Sequence, residues 1–209
     1  MRRLLTIFLL AAAAPGWAQT GHERHHPPRN EGAYDRALEA PSRAEWQQPD
    51  KVVEALKLSR DEVVADIGAG TGYFSRRFAP LVAKVYAVDV SRKRLKRLEE
   101  AGLPNVEIVH AEPDDPKLPE AAVDTIFFCN VLHHIEDRPA YYEKLARALK
   151  PGGRVVNIDF YKRELPVGPP LSMKLTREEV IAEFEKAGYR LDEEFDFLPY
   201  QYFLIFKKK

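Results

Sequence analysis

The chain has 209 residues, a length that suits one α/β domain, and 32 lysines and arginines balance 32 aspartates and glutamates. This balance provides no basic field for nucleic acid and no acidic excess of the kind that accompanies disorder. The single cysteine, Cys129, excludes an internal disulfide framework and a paired-cysteine zinc or redox site. The composition therefore favours a globular domain with an apolar core.

The first 18 residues have the layout of a secretory signal peptide. A basic start at residues 2–3 precedes an apolar run over residues 4–14, and small residues at positions 16 and 18 precede Gln19. The run is shorter than the ~20 residues that a membrane-spanning helix needs. We expect cleavage before Gln19, a periplasmic or secreted protein, and no stable membrane span after cleavage. An uncleaved N-terminal helix is the alternative.

Residues 19–48 are predicted to form a linker followed by a lid. Positions 19–33 are polar and show no periodicity, so the histidines at positions 22, 25 and 26 are interpreted as a solvated linker. No metal site is predicted from them. Tyr34 and Trp46 are available to anchor the lid on the remainder of the chain, residues 49–209, where Pro49 opens a helix at a favoured first-turn position.

From residue 61 onward, strand and helix patterns alternate. Strands are predicted at residues 61–68, 84–90, 105–111, 123–130 and 154–160, and a closing antiparallel pair at 191–198 and 201–207. Helices are predicted at residues 71–82, at 91–102 with Ser91 as cap, at 137–150 with Asp137 as cap, and after a capping box formed by Thr176 and Glu179. The alternation predicts an α/β fold with a mostly parallel sheet that is covered on both faces.

A glycine-rich loop follows the first predicted strand, at the point where ligands bind in open α/β sheets. Gly68, Gly70 and Gly72 have the spacing G-x-G-x-G, and Asp66 lies inside the strand before them. Glycines permit a tight turn and a close approach of a ligand to the backbone. The second strand ends at Asp89, whose carboxylate can accept both hydroxyls of a ribose.

Two nucleotide ligands fit a loop of this kind. A dinucleotide fingerprint requires G-x-G-x-x-G, but its third position falls on Tyr73. A pyrophosphate also gains nothing from an acid at position 66, whereas a cofactor with an amino group and a sulfonium does. The residues therefore favour a cationic, aminoacyl ligand.

Four segments in this order resemble the successive motifs of class I S-adenosylmethionine-dependent methyltransferases: VADIGAGTGYF, VYAVDVS, DTIFFCNVLHHIED and LKPGGRVVNIDF. The resemblance runs from about Asp50 to Lys207. It is closest to the branch with the ubiquinone/menaquinone C-methyltransferases and many small-molecule enzymes. It implies a doubly wound, mostly parallel sheet of about seven strands with an antiparallel last strand, preceded by a helical lid, and S-adenosylmethionine as cofactor.

The resemblance also implies roles for individual residues. Asp66 would orient the methionine amino group through the loop. The loop residues Gly68, Ala69, Gly70 and Gly72 would let the backbone approach the cofactor. Asp89 would hold the ribose, with Val90 against the adenine. Asn130 would lie near the sulfonium and the methyl group. Near the adenine, the segment after the third strand departs from the usual Gly-Asp-Ala pattern, and Ala111, Glu112 and Asp114 stay open as contacts.

His133 and His134 follow Asn130 and are the candidate catalytic residues, as a general base or as substrate-orienting groups. Adjacent residues on a helix point about 100° apart, so at most one of the two is expected to face the acceptor. The alternative is that one packs in the interior and the other is solvated. A base is needed for a hydroxyl or an acidic carbon but not for a thiolate, a neutral amine or an arsenic lone pair.

We expect a small-molecule methyl acceptor and no nucleic-acid partner, because the basic run at residues 92–97 lies on an amphipathic helix beside acids. Aromatic residues at positions 34, 46, 73, 160 and 161 are candidates to line the acceptor site. The alternative function is a non-catalytic exported binding protein on a methyltransferase scaffold. The sequence does not decide the oligomeric state.

Overall fold

The structure is a computed structural model that describes residues 31–209, without the side chains of residues 31, 33 and 34. The predicted signal peptide, the histidines of the linker and the side chain of the predicted anchor Tyr34 lie outside this description. None of the helices in this part of the chain is long and apolar enough to cross a membrane.

Seven strands form one sheet in the order β3-β2-β1-β4-β5-β7-β6. They are β1 Val63–Ile67, β2 Lys84–Asp89, β3 Val106–His110, β4 Val123–Cys129, β5 Leu149–Phe160, β6 Tyr189–Phe195 and β7 Gln201–Lys208. Strands β1 to β5 pair in parallel, and β7 is antiparallel to both β5 and β6. The prediction of a mostly parallel, doubly wound sheet with an antiparallel last strand is therefore confirmed.

Seven α-helices accompany the sheet in the described chain: α1 Glu31–Leu38, α2 Arg43–Gln47, α3 Pro49–Leu56, α4 Ser75–Phe78, α5 Arg92–Glu99, α6 Arg138–Ala148 and α7 Arg177–Lys186. The capping box of Thr176 and Glu179 and the cap at Asp137 are confirmed. Ser91 occupies the N-cap position of α5 as predicted, but its side chain makes no capping hydrogen bond. Helix α4 is shorter than predicted, since the loop up to Phe74 forms turns around the positive φ of 90° at Gly72.

Apolar side chains cover both faces of the sheet. The neighbouring residues Phe127 and Phe128 of β4 are both 0% exposed and belong to two different core clusters, one on each face. A strand that is apolar on both sides must lie in the middle of a sheet. Strands β1 and β4 lie next to each other in the interior of the sheet and pair in parallel. The chain reverses its direction of winding between them, and their carboxyl ends open the crevice where ligands bind in such sheets.

Candidate functional site

The glycine loop turns directly out of β1 and depends on left-handed backbone at three positions. Gly68, Gly70 and Gly72 have φ values of 71°, 59° and 90°. A Cβ atom at Gly68 would lie 2.3 Å from Cγ2 of Val131, and one at Gly72 would lie 2.4 Å from Cδ1 of Leu98. Two of these glycines are therefore required both by conformation and by packing, and the backbone of the loop is held in one shape.

Asp89, at the end of β2, receives one backbone hydrogen bond on each carboxylate oxygen. The Gly70 N–H donates to Oδ2 over 2.8 Å, and the Ser91 N–H donates to Oδ1 over 2.7 Å. The residue is 7% exposed. Since a carboxylate oxygen accepts two hydrogen bonds, each oxygen keeps capacity for a further donor such as a ribose hydroxyl. The structure thus joins the glycine loop and the second strand through the predicted residue.

Asp66 lies buried in β1, underneath the loop. The Ser75 hydroxyl donates a hydrogen bond to its Oδ2 over 2.6 Å. Burial raises the pKa of the Asp66 carboxyl to about 7, against the lowering effect of the Ser75 hydrogen bond. A carboxyl in this environment gains from a nearby positive charge, which favours its ionised form.

Ala69 and Val90 flank this junction. The Ala69 N–H donates a hydrogen bond to the Val88 carbonyl over 3.0 Å, so the hydrogen bonding between β1 and β2 extends beyond the end of β1 into the loop. Val90 is one of the few large apolar side chains that stay exposed, at 47% of its surface. An exposed apolar side chain directly after Asp89 suits contact with a flat, apolar ring.

The three open positions after β3 differ clearly in their surroundings. Ala111 is buried, and its N–H donates to the Asp89 carbonyl over 3.1 Å. The Glu112 carboxylate pairs with Lys117 at 2.7 Å, and the Asp114 side chain is 78% exposed. Ala111 is therefore the one of the three that directly adjoins the ribose-binding candidate, while the Glu112 side chain is engaged by its lysine.

Asn130 directly follows β4 and has a φ of 63°, which is uncommon for a residue other than glycine. Its side chain closes a ring of three amides with Gln47 of α2 and Gln201 of β7. Gln47 Nε2 donates to Gln201 Oε1 over 2.8 Å, Gln201 Nε2 donates to Asn130 Oδ1, and Asn130 Nδ2 donates to Gln47 Oε1 over 3.2 Å. Strained backbone that is held by a buried polar network is common at functional sites.

The described part of the predicted lid is tied to the loop by charged contacts. Asp35 of α1 is 5% exposed and pairs with Arg94 at 2.9 Å and with Arg97 at 2.8 Å, both on α5. Glu39 pairs with Arg76 of α4 at 2.8 Å. The segment therefore lies across the glycine loop from α5 to α4, with its polar residues spaced along its length.

Arg43 of α2 is a buried cation, 7% exposed, beside the loop. Its guanidinium lies 3.9 Å from the centroid of the Tyr73 ring, and Nη1 donates to the Leu38 carbonyl over 2.9 Å. Within residues 31–209, Nε has no hydrogen-bond partner and no carboxylate lies at ion-pair distance. A buried charge without a counter-ion is costly, so the position favours an anionic ligand group.

His133 and His134 lie on a 3-10 turn, Leu132–His134, and their ring centroids are 4.2 Å apart. His133 is 3% exposed, and its Nδ1 lies 2.9 Å from both carboxylate oxygens of Asp159, near the end of β5. His134 is only half-buried. The two histidines therefore differ in environment, as expected for adjacent residues on a turn.

Two of the predicted acceptor-site aromatics meet. The rings of Trp46 and Phe160 are 5.6 Å apart, which places the end of the lid against the end of β5. The Tyr73 ring packs against Phe74 and lies under the Arg43 guanidinium, and the Tyr161 ring packs against Tyr202. Cys129 is buried, as its apolar strand indicates. No group of three or more potential metal ligands is present in the described chain.

Four site residues were missed in the sequence: Arg43, Gln47, Asp159 and Gln201. Nothing in the local pattern distinguishes a buried glutamine from a surface one, and the Gln47–Gln201 bond joins positions 154 residues apart. Asp159 carried a usable signal, because a charged residue within an otherwise apolar strand requires a buried partner.

Comparison with known proteins places this geometry in context. The model of a family described as a methyltransferase domain matches residues 65–157. An uncharacterized methyltransferase, YcgJ of Bacillus subtilis, is 27% identical over 128 residues, which are 59% of this chain and 51% of that protein. The ubiquinone/menaquinone biosynthesis C-methyltransferase UbiE of Escherichia coli is 30% identical over 128 residues, 57% of this chain and 50% of that protein. The chain thus spans about half the length of these curated relatives.

Solved structures agree in fold. A crystal structure of a SAM-dependent methyltransferase from Aquifex aeolicus superposes with a TM-score of 0.78 at 29% identity, covering 83% of this chain and 96% of that one. A DhpI complex with SAH has a TM-score of 0.62 at 22% identity, covering 84% and 94%, and supports the fold alone. The strand order, the family match and these relatives together support a class I methyltransferase domain in this chain.

Proposed function

We propose that this protein transfers the methyl group of S-adenosylmethionine to a small-molecule acceptor. The observation that carries the proposal is the joined unit of the glycine loop and Asp89, in which the Gly70 N–H donates to the carboxylate over 2.8 Å. This unit lies at the carboxyl ends of β1 and β2, where a nucleoside can sit between loop and carboxylate.

The residues present fit this cofactor. Asp89 retains acceptor capacity for ribose hydroxyls, and the exposed Val90 supplies an apolar contact for adenine. Arg43 bonds to the Leu38 carbonyl and the Gln47 side chain but has no carboxylate partner among the described residues, and its free Nε–H suits the carboxylate of the methionine part. Asp66, whose pKa is raised by burial, gains from the amino group through the loop. When bound, the cofactor supplies an activated methyl group, and the protein orients it and excludes water.

A small acceptor is supported by the lid and by the charge distribution. The Trp46–Phe160 contact closes the end of the lid over β5, which favours a compact, partly apolar acceptor. In the basic run of α5, Arg94 and Arg97 are engaged by the buried Asp35. Two charges of the cluster are thereby neutralised by a carboxylate of the same chain, which argues against a nucleic-acid surface there.

We further propose that the protein is exported, as residues 1–18 indicate, and acts in the periplasm or outside the cell. Mass spectrometry of the protein from its native host tests this point. We expect the mature chain to begin at Gln19, and an intact Met1 in the cytosolic fraction would contradict export.

Calorimetric titration of the mature protein tests the cofactor. We expect S-adenosylmethionine to bind and Asp89→Ala to weaken binding about 100-fold, since two charge-assisted hydrogen bonds contribute about 1.5 kcal/mol each. Asp124→Ala is the matched control. Asp124 also accepts a hydrogen bond from a backbone N–H, that of Val63 at 2.8 Å, but it lies at the start of β4, where its carboxylate pairs with Lys150. Binding of NAD without binding of S-adenosylmethionine would favour a dehydrogenase instead.

The alternative is a non-catalytic binding protein on the same scaffold. It predicts that the protein binds S-adenosylmethionine or its demethylated product without converting one to the other. Purified mature protein that converts bound S-adenosylmethionine to its demethylated product in the presence of an acceptor would favour the enzyme, whereas bound S-adenosylmethionine that stays unconverted with every acceptor would favour the binding protein.

A further inference from the structure

A second polar unit lies beside the cofactor loop, at the carboxyl ends of β4 and β5. These strands are adjacent and parallel, with Cys129 opposite Ile158. His133 follows β4 and Asp159 is the penultimate residue of β5, so the topology brings their side chains to one sheet edge. Val131, between Asn130 and the histidine, is the residue that a Cβ at Gly68 would meet at 2.3 Å. The segment that carries His133 therefore packs directly on the glycine loop.

The hydrogen bonds of Asp159 determine which nitrogen of His133 carries a proton. Both carboxylate oxygens lie 2.9 Å from Nδ1, and the Phe160 N–H also donates to Oδ1 over 2.8 Å. An ionised carboxylate can only accept, so Nδ1 is the donor. The neutral ring then has its lone pair on Nε2, for which the described residues provide no hydrogen-bond partner.

The burial of Asp159 argues against a purely structural pair. The residue is 1% exposed, and no lysine or arginine of the described chain pairs with it. A buried carboxylate whose only side-chain partner is an imidazole is costly when the ring is neutral, and it stabilises the ring once the ring takes up a proton. The arrangement therefore suits a histidine that accepts a proton during a reaction.

We infer that His133 is a general base held in place by Asp159, and that the methyl acceptor carries an O–H or C–H proton which it must lose to become a nucleophile. This inference rests on the proposed function and narrows its substrate class. Acceptors that react through a thiolate, a neutral amine or a metalloid lone pair need no such base.

The step balances as follows for an acceptor written X–H. The proton of X–H moves to Nε2 of His133, and the electron pair left on X forms the X–CH₃ bond. The pair of the S–CH₃ bond stays on sulfur, which changes from a sulfonium to a neutral thioether. The imidazolium, stabilised by Asp159, later releases its proton to water. His133 is the catalytic residue in this scheme, and Asp159 is a positioning residue.

The tautomer of His133 can be read without knowing the acceptor. In long-range ¹H–¹⁵N spectra of the full mature chain labelled with ¹⁵N-histidine, we expect His133 to carry its proton on Nδ1 and none on Nε2. Asp159→Asn should shift the population toward the other tautomer. Asp124→Asn, the same substitution at the amino end of β4, should leave the tautomer unchanged. A proton on Nε2 in the neutral wild-type ring would overturn the inference.

A pair of probe acceptors, 4-methylphenol and 4-methylthiophenol, tests the chemistry. His133→Asn keeps a donor for Asp159 but lacks a base at Nε2, so it should lower methylation of the phenol by about 100-fold or more. Methylation of the thiophenol, which is ionised at the assay pH, and the affinity for S-adenosylmethionine should change less than about threefold. Asp159→Asn should lower kcat for the phenol and leave the KM nearly unchanged.

The possible failures are distinguishable. The inference would be overturned if His133→Asn lowered methylation of both probes equally or did not lower methylation of the phenol. It would also be overturned if the wild type methylated only the thiophenol. Each of these results would leave methyl transfer itself intact. If neither probe is methylated although S-adenosylmethionine binds, the spectra decide. Absence of S-adenosylmethionine binding to the wild type would instead refute the proposed function.

Discussion

Replacing Gly68 by alanine should destabilise the fold more than the same change at another left-handed glycine. Gly68 has a φ of 71°, and a Cβ there would lie 2.3 Å from Cγ2 of Val131. Gly102 has a φ of 62°, and a Cβ there would meet nothing within 4 Å. Both variants place alanine in left-handed backbone, at a cost of about 1–2 kcal/mol. Only Gly68→Ala also overpacks the interior, at a cost of about 1–3 kcal/mol.

The free energy of unfolding in urea measures both terms. We expect Gly102→Ala to lower it by about 1–2 kcal/mol and Gly68→Ala by about 2–5 kcal/mol, with the urea m-value unchanged. The double variant Gly68→Ala/Val131→Ala removes the two Cγ atoms at 2.3 and 2.9 Å and keeps the Cβ contact at 3.2 Å. The two changes should therefore cost less together than the sum of their separate costs. Equal losses for the two glycine variants, or strict additivity with Val131→Ala, would refute this account of the loop.

Three further predictions concern the site. The pKa of Asp66 is raised from 3.8 to about 7, so the folded state favours the protonated carboxyl. The free energy of unfolding should therefore fall by up to about 4 kcal/mol as the pH rises from about 4 to 7. Asp66→Asn should remove this fall in urea unfolding measured at pH 5 and pH 8, and an unchanged pH dependence would contradict the assignment. Arg43→Gln should weaken S-adenosylmethionine binding about 10-fold or more in calorimetry, since a charge-assisted hydrogen bond contributes about 1.5–3 kcal/mol; unchanged affinity would exclude Arg43 from the site. Gln47→Ala opens the amide ring and leaves buried amide groups unpaired, so it should lower the free energy of unfolding by about 1–3 kcal/mol. It should also speed hydrogen exchange of the backbone amides in residues 31–47. Unaltered exchange in that segment would show that the ring does not hold the lid.

The sheet could be predicted from the sequence because its signals are local. Apolar runs bounded by turn residues marked β1 to β5 and β7, and Thr176 with Glu179 marked the start of α7. Strand β6, with the polar sequence YRLDEEF, begins two residues before its predicted start. The extent of α4 could not be predicted, since the residues after Gly72 have helical composition but are held as turns by the loop. Side-chain composition does not reveal such a backbone constraint.

The site was predictable only where it lies on the glycine loop and the strand end that follows it. Asp66, the glycines and Asp89 are close in sequence and form one unit in the structure. The amide ring joins three distant segments, with Asn130 and Gln47 separated by 83 positions, so no local pattern indicates it. For Glu112, the sequence supplied a carboxylate near the expected adenine contact, but the short turn that follows brings Lys117 to it.

Transfer of label from S-adenosylmethionine with an isotopic methyl group tests the central claim most directly. The mature protein would be incubated with a panel of thiols, phenols, quinols and metalloids, and the small-molecule fraction and S-adenosylhomocysteine would be quantified together. We predict that the methyl label appears in one acceptor class in a one-to-one ratio with S-adenosylhomocysteine, and that Asp89→Ala abolishes both at limiting cofactor. Tight binding of S-adenosylmethionine with no S-adenosylhomocysteine formed on any acceptor would contradict the claim and favour the non-catalytic binding protein.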